Sequence, residues 1–97
     1  MFARVSIIEG SPDRLDESIR QTREEIIPEA KRMHGFKGLY DLIDRKTGKG
    51  MVITLWETEA DLNASTEAAN KLRAQASETL AATQPPKVEI YEVALQP

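Results

Sequence analysis

The sequence predicts an α+β fold of the ferredoxin-like kind, βαββαβ, with an antiparallel sheet in the order 4-1-3-2 and both helices on one face. Three observations predict it. Residues 51–56 form a run apolar on both sides, with Met51, Ile53 and Leu55 on one and Val52, Thr54 and Trp56 on the other. Such a strand belongs in the middle of a sheet with material packed on each face. Thr47-Gly48-Lys49-Gly50 joins this run to the one before it, and two glycines between apolar runs supply the positive φ angles of a tight hairpin. Finally, a helical spacing of apolar residues lies on either side of the hairpin, so the order of elements is strand, helix, strand, strand, helix, strand. Right-handed crossovers then put strands one and three in the centre.

In chain order, Phe2 to Glu9 is the first strand, apolar on both faces apart from Arg4 and Ser6, and Gly10 closes it. Ser11 can cap, Pro12 suits a first helical position, and Asp13 and Asp16 complement the helix dipole. Leu15, Ile19, Thr22, Ile26, Ala30 and Met33 recur at three and four, which predicts one stripe against the sheet. Pro28 interrupts that stripe and removes the backbone bond to Glu24, so a kink or break is expected there. His34-Gly35 stops the helix, and Phe36 to Arg45 is the second strand. Thr58, followed by Glu59 and Asp61, caps the second helix, whose stripe is Leu62, Ser65, Ala69, Leu72, Ala76 and Leu80. That stripe is thin and rich in alanine, so its end beyond about Arg73 is expected to fray or shift direction. Gln84-Pro85-Pro86 ends it, and Lys87 to Leu95 is the last strand.

Residues 1–97 make one domain of ordinary globular composition, 40% hydrophobic and 30% charged. A net charge of -3 with no basic stripe argues against nucleic acid or an anionic membrane as partner. The absence of cysteine excludes disulfides, thiolate catalysis and zinc-cysteine sites and fits a reducing compartment. No apolar run approaches the ~20 residues of a membrane span, and the first ten residues are too polar for a signal peptide, so a cytoplasmic protein is expected. One histidine and scattered carboxylates give no metal-ligand spacing, and Gly48-Lys49-Gly50 is a turn, not a phosphate cradle. The predicted helices cover only one face of the sheet. The other is expected to expose some combination of Ile8, Val52, Trp56 and strand-four residues, a patch that a second copy of the sheet would bury in a symmetric homodimer with a chamber between the sheets.

Several residues carry the resemblance to a known family: the proline-bearing helix ending in His34-Gly35-Phe36, the hairpin, and above all Trp56-Glu57-Thr58 followed by an acidic residue and Leu62. The chain resembles, over nearly its whole length, the dimeric α+β barrel superfamily and within it the antibiotic biosynthesis monooxygenase (ABM) domain. The resemblance implies a homodimer with a ligand cavity between sheet and helices or within the shared barrel. It also implies an oxygenase using no metal, flavin or haem, in which a small aromatic or quinol-like substrate, deprotonated to a phenolate or enolate, supplies the electron to oxygen. The alternative is a non-catalytic dimer of the same fold that binds a small ligand or serves assembly. The haem-degrading branch is disfavoured: its strand-one asparagine, helix tryptophan and ligating histidine fall at Ser6, Ser65 and Ala74, and alanine cannot ligate iron.

Under the oxygenase reading, His34, Arg4 and Tyr40 are the candidate catalytic groups, with Trp56, Ser6 and Thr54 as substrate contacts and no metal site. Each has a plainer reading. His34 suits a helix C-terminus facing water, Trp56 is a packing anchor, and Tyr40 reaches solvent from the outer hairpin strand. Arg4, costly on a central strand unless paired, is expected to bridge to Glu89 or Glu92 of the last strand.

Overall fold

The computed structural model describes all residues, 1–97. Its sheet has the predicted order: β1 (Phe2–Glu9) lies between β3 (Lys49–Trp56) and the edge strand β4 (Lys87–Glu92), and β2 (Phe36–Asp44) is the other edge. All three pairings are antiparallel. A bulge between Phe36 and Gly38 lets β2 follow the end of β3. The hairpin uses one glycine rather than two. Gly48 takes φ 81°, whereas Gly50 is already part of β3, opposite Ile8.

The first helical stretch is segmented as Pro28 requires. A short 3-10 turn at Pro12–Arg14 leads into α1 (Leu15–Gln21), then the chain widens to a π-helix over Thr22–Ile26 before α2 (Ile27–Lys31). Proline at the start of α2 has no N–H to give and needs room for its ring, and the wider turn provides it, with Ile27 N–H reaching the Thr22 carbonyl.

The second helical stretch departs from expectation. It does not fray beyond Arg73 but breaks at Ser65, between α3 (Glu59–Ala64) and α4 (Thr66–Thr79). Thr58 caps α3 as predicted, its hydroxyl accepting from Asp61 N–H at 3.0 Å. The last strand ends at Glu92, short of the predicted Leu95.

The helices cover the face that carries Phe2, Arg4, Ser6 and Ile8 of β1 with Val52, Thr54 and Trp56 of β3. This corrects the expectation that Ile8, Val52 and Trp56 lie on the open side. The uncovered face instead presents Val5, Ile7, Met51 and Ile53, half-buried, flanked by exposed Tyr40, Leu42 and Tyr91. Both central strands are apolar on both sides, so their sequence leaves the choice open; the hand of the crossovers makes it. At one end of the covered face Ile8, Leu15 and Leu80 pack into a buried cluster. At the other end Trp56 and Leu62 are buried at 2% and 0% exposure.

Candidate functional site

Between these packed ends lies a cavity lined by Arg4, Ser6, Val52, Thr54 and Trp56 of the sheet, Ile26 and Met33 of the first helical stretch and Leu72 and Arg73 of α4, among others. The alanine stripe is its cause. Ala69 and Ala76 bring α4 over the sheet without filling the space beneath it. The cavity volume is about 70 Å³, and the free space including the solvent-open mouth is about 540 Å³. A second depression, of about 320 Å³, lies beside Glu9, Lys49 and Lys87, but Ile7 is its one hydrophobic wall residue. The first combines apolar walls with convergent polar groups, which is the composition of a ligand site.

Arg4 is 4% exposed and makes no ion pair to Glu89 or Glu92, contrary to expectation. For Glu89 the register explains this, since it stands opposite Val5 on the other face; Glu92, opposite Phe2, shares the face of Arg4 but stays exposed at the end of the strand. The guanidinium points instead at the break between α3 and α4. It donates to the Leu62 carbonyl at 2.9 Å, to Ser65 Oγ at 3.1 Å and to Thr66 Oγ1 at 3.2 Å. Ser65 Oγ in turn donates to the same Leu62 carbonyl at 2.7 Å. The helix therefore breaks where its backbone and side-chain oxygens serve a buried cation. The indole of Trp56 lies 6.0 Å from the guanidinium, meets Phe36 edge-on at 5.6 Å, and donates through Nε1 to Thr54 Oγ1 at 3.0 Å.

Arg73 enters the same cavity from α4. Its Nε donates to Ser6 Oγ at 3.1 Å and its Nη1 to Asn70 Oδ1 at 2.7 Å. Burial pulls the pKa of both guanidiniums below the ordinary arginine value, and for Arg4 the charge of Arg73 adds to it. Sequence reasoning missed Arg73. The available signal was its position one residue after Leu72 and four after Ala69, at the edge of the inward stripe. Asp41 was also missed; it lies on the helix-facing side of β2 opposite Val52, where burial raises its carboxyl pKa.

The structure thus gathers Arg4, Ser6, Thr54 and Trp56 around one space and leaves His34 and Tyr40 outside it. Tyr40 is 57% exposed on the uncovered face. The His34 side chain is 91% exposed, and its Nδ1 lies 2.8 Å from Asp61 Oδ1. The neighbouring turn is held as well, Gly35 at φ 82° accepting from Glu57 N–H at 2.8 Å, so His34 and Gly35 latch the end of α2 to the start of α3.

That latch has a defined pH window. Hydrogen bonding to Asp61 raises the His34 pKa above 6.5, so its contribution is complete below 6.5 and is lost as pH rises through the folded value. His34 lowers the Asp61 pKa below 3.8, so that contribution is present above 3.8 and is lost as pH falls through the folded value. The melting-temperature difference between the parent and His34→Ala is expected to be largest near about pH 5.5 and to shrink by about pH 9. A difference independent of pH, measured by thermal denaturation across that range, would show that the pair contributes nothing.

No family model matches the chain. It is 30% identical to the uncharacterized protein Rv2557 of Mycobacterium tuberculosis over 94 residues, and equally to Rv2558 over 95. These alignments cover 97% and 98% of the chain, which spans only 41% and 39% of those relatives. Among solved structures, the monooxygenase from ActVA-Orf6 of Streptomyces coelicolor, in complex with nanaomycin D, superposes with a TM-score of 0.79 at 17% identity, covering 99% of this chain and 91% of its own. SnoaB of Streptomyces nogalater, a cofactor-independent oxygenase, gives 0.68 at 14% identity, covering 98% and 94%. No helix of the chain is long and apolar enough to cross a membrane. Likeness at such identities establishes architecture and leaves chemistry to the site. The chain has the ferredoxin-like α+β fold of the antibiotic biosynthesis monooxygenases.

Proposed function

We propose that the protein is a cofactor-independent monooxygenase for a small, electron-rich aromatic or quinol-like compound. The reading rests on one observation: in the fold of known oxygenases, an apolar cavity lies beneath α4 with polar side chains converging on it. Trp56 and the aliphatic wall hold the ring, and Arg4 and Arg73 stabilise a phenolate or enolate oxygen while Ser6 and Thr54 complete the polar lining. His34 and Tyr40 take no part from within the same subunit. For an anthrone-type substrate the balance is simple. The enolate passes an electron to O₂, the resulting pair recombines at carbon, and loss of water leaves a carbonyl that keeps one atom of O₂. The ring methylene is oxidised, O₂ is reduced, and no other reductant is required. Charge stabilisation by two preorganised cations is the largest catalytic contribution such a site offers.

The test is oxygen uptake with anthrone or a hydroquinone in the presence of a chelator. With anthrone, label from ¹⁸O₂ is expected in the new carbonyl, with turnover falling at least about tenfold in Arg73→Gln. Uptake at the rate of the buffer blank would dismiss the reading. A second reading, a ligand-binding protein without oxygen chemistry, is favoured by the lining itself, which holds two arginines but no carboxylate, histidine or tyrosine to take a substrate proton. It expects ligand-induced stabilisation and no uptake.

We also propose that a second copy covers the open face of the sheet, completing a homodimeric barrel. The relatives' greater length leaves room for a second unit of this size within one chain, which would bury the same face internally. In the separate chain, Tyr40→Asp combined with Leu42→Lys places charge on two exposed side chains and is expected to convert a sedimenting dimer to a folded monomer. An unchanged sedimentation coefficient would place the interface elsewhere.

A further inference from the structure

We propose that the cavity is an anion site whose ligand is a small aromatic carboxylate, its carboxylate bridging Arg4 and Arg73 and its ring lying along the apolar wall towards the mouth. This deepens the reading above by naming the ligand class. It rests on that reading's placing of the ligand in this cavity and does not require oxygen chemistry.

Two facts carry it. First, these are two cations with no anion: neither guanidinium has a carboxylate within 4.0 Å, and their protein partners are the neutral oxygens and hydroxyls of Leu62, Ser65, Thr66, Ser6 and Asn70. A buried charge is ordinarily paired, because desolvation costs several kcal/mol that only an opposite charge in good geometry offsets. Arg4, more than nine-tenths buried, is not paired, and Arg73 adds like charge beside it.

Second, donors remain. Each guanidinium has five N–H groups in a rigid fork, of which Arg4 commits three to the protein and Arg73 two. Arg4 is anchored from the side of the helix break and Arg73 by β1, so both forks are held in place before any ligand arrives. Planar forks of this kind match a carboxylate, which accepts at two oxygens and neutralises the local charge. The walls beyond are aliphatic and aromatic, including Ile26, Val52, Leu72 and Trp56, and offer no second charged group. A carboxylate on a flat apolar body therefore satisfies both halves of the cavity, and a neutral ring satisfies one.

The experiment is calorimetric titration of the full chain with benzoate and with benzamide, its neutral counterpart of the same shape, at pH 7 and low salt. Benzoate is expected to bind at least about tenfold more tightly than benzamide, and the preference to vanish in Arg73→Gln, a half-exposed position whose replacement leaves the fold intact. Arg4→Met, which keeps the apolar stem, is expected to remove the preference as well, at some cost in stability because it gives up the three bonds to the α3–α4 break. If Arg4 were only a strut for the helix break, the benzoate preference would survive its replacement. Equal affinity for the two probes, no benzoate binding at about 10 mM, or a preference that survives Arg73→Gln overturns the proposal. Failure here is separable from failure of the oxygenase reading. Benzoate discrimination without oxygen uptake sinks the oxygenase alone, and oxygen uptake by a protein that binds benzoate and benzamide equally sinks the anion site alone.

Discussion

Replacing Trp56 with alanine is expected to destabilise the protein by about 3–5 kcal/mol, the usual cost of deleting a large buried aromatic. Trp56 is 2% exposed and ends the central strand, so it meets three neighbours at once: Phe36 edge-on, the guanidinium of Arg4, and Thr54 Oγ1 through its indole N–H. Alanine removes the ring from all three and extends a cavity that already exists. Collapse into the space is restricted, because Arg4 is tied to Leu62, Ser65 and Thr66 and fixes the start of α4. Trp56→Phe keeps a ring against Phe36 and Arg4 while losing the hydrogen bond, and its cost is expected to be about half as large. Urea denaturation of the parent and the two variants checks this. A loss under about 1 kcal/mol for Trp56→Ala would mean that the indole is a cavity wall and not an anchor. In that case the same variant becomes the cleanest probe of ligand contact.

Gly48→Ala is the second large effect, expected at about 2–4 kcal/mol, and Gly50→Ala, two residues away, is its control. Gly48 takes φ 81°, which costs an alanine about 1 kcal/mol. The larger penalty is steric. A β-carbon there would press well inside contact distance on the carbonyl oxygen of Gly10 and approach Pro12 N at 2.8 Å. Both obstacles are backbone and cannot rotate away. The hairpin tip would have to lift off the end of β1, loosening the bond from Gly10 N–H to the Gly48 carbonyl at 3.1 Å. At Gly50 an added β-carbon would meet Leu80 Cδ2 at 3.9 Å and Ile8 O at 4.0 Å, ordinary packing with no strained φ, and the change is expected to stay within about 0.5 kcal/mol. Equal effects at the two glycines would show that neither the positive φ of Gly48 nor its docking against Gly10 and Pro12 sets the cost.

That pair also marks the boundary between what sequence and fold each decide. Local chemistry determined the elements. The limits of β1, the Thr58 cap and the segmentation at Pro28 follow from side-chain type and backbone geometry over a few residues, and handed connections then leave one sheet order, whereas the first helical stretch ends at Lys31, ahead of the predicted stop at His34-Gly35. The thin alanine stripe of α4 foretold little buried area, which the structure expresses as a cavity.

Tertiary structure decided everything that depends on which face a residue shares and with whom. Two strands apolar on both sides do not say which side the helices cover, so Ile8, Val52 and Trp56 were expected on the wrong face. Two central strands likewise do not say that Arg4 turns from the carboxylates of β4 towards carbonyl and hydroxyl oxygens some sixty residues away. Arg73 carried no functional reading in the sequence, because only the crossing of α4 over β1 brings it to Ser6. Hydrophobic periodicity reports that a side is buried; the partner of a buried polar group is a long-range fact, fixed by register and crossover hand.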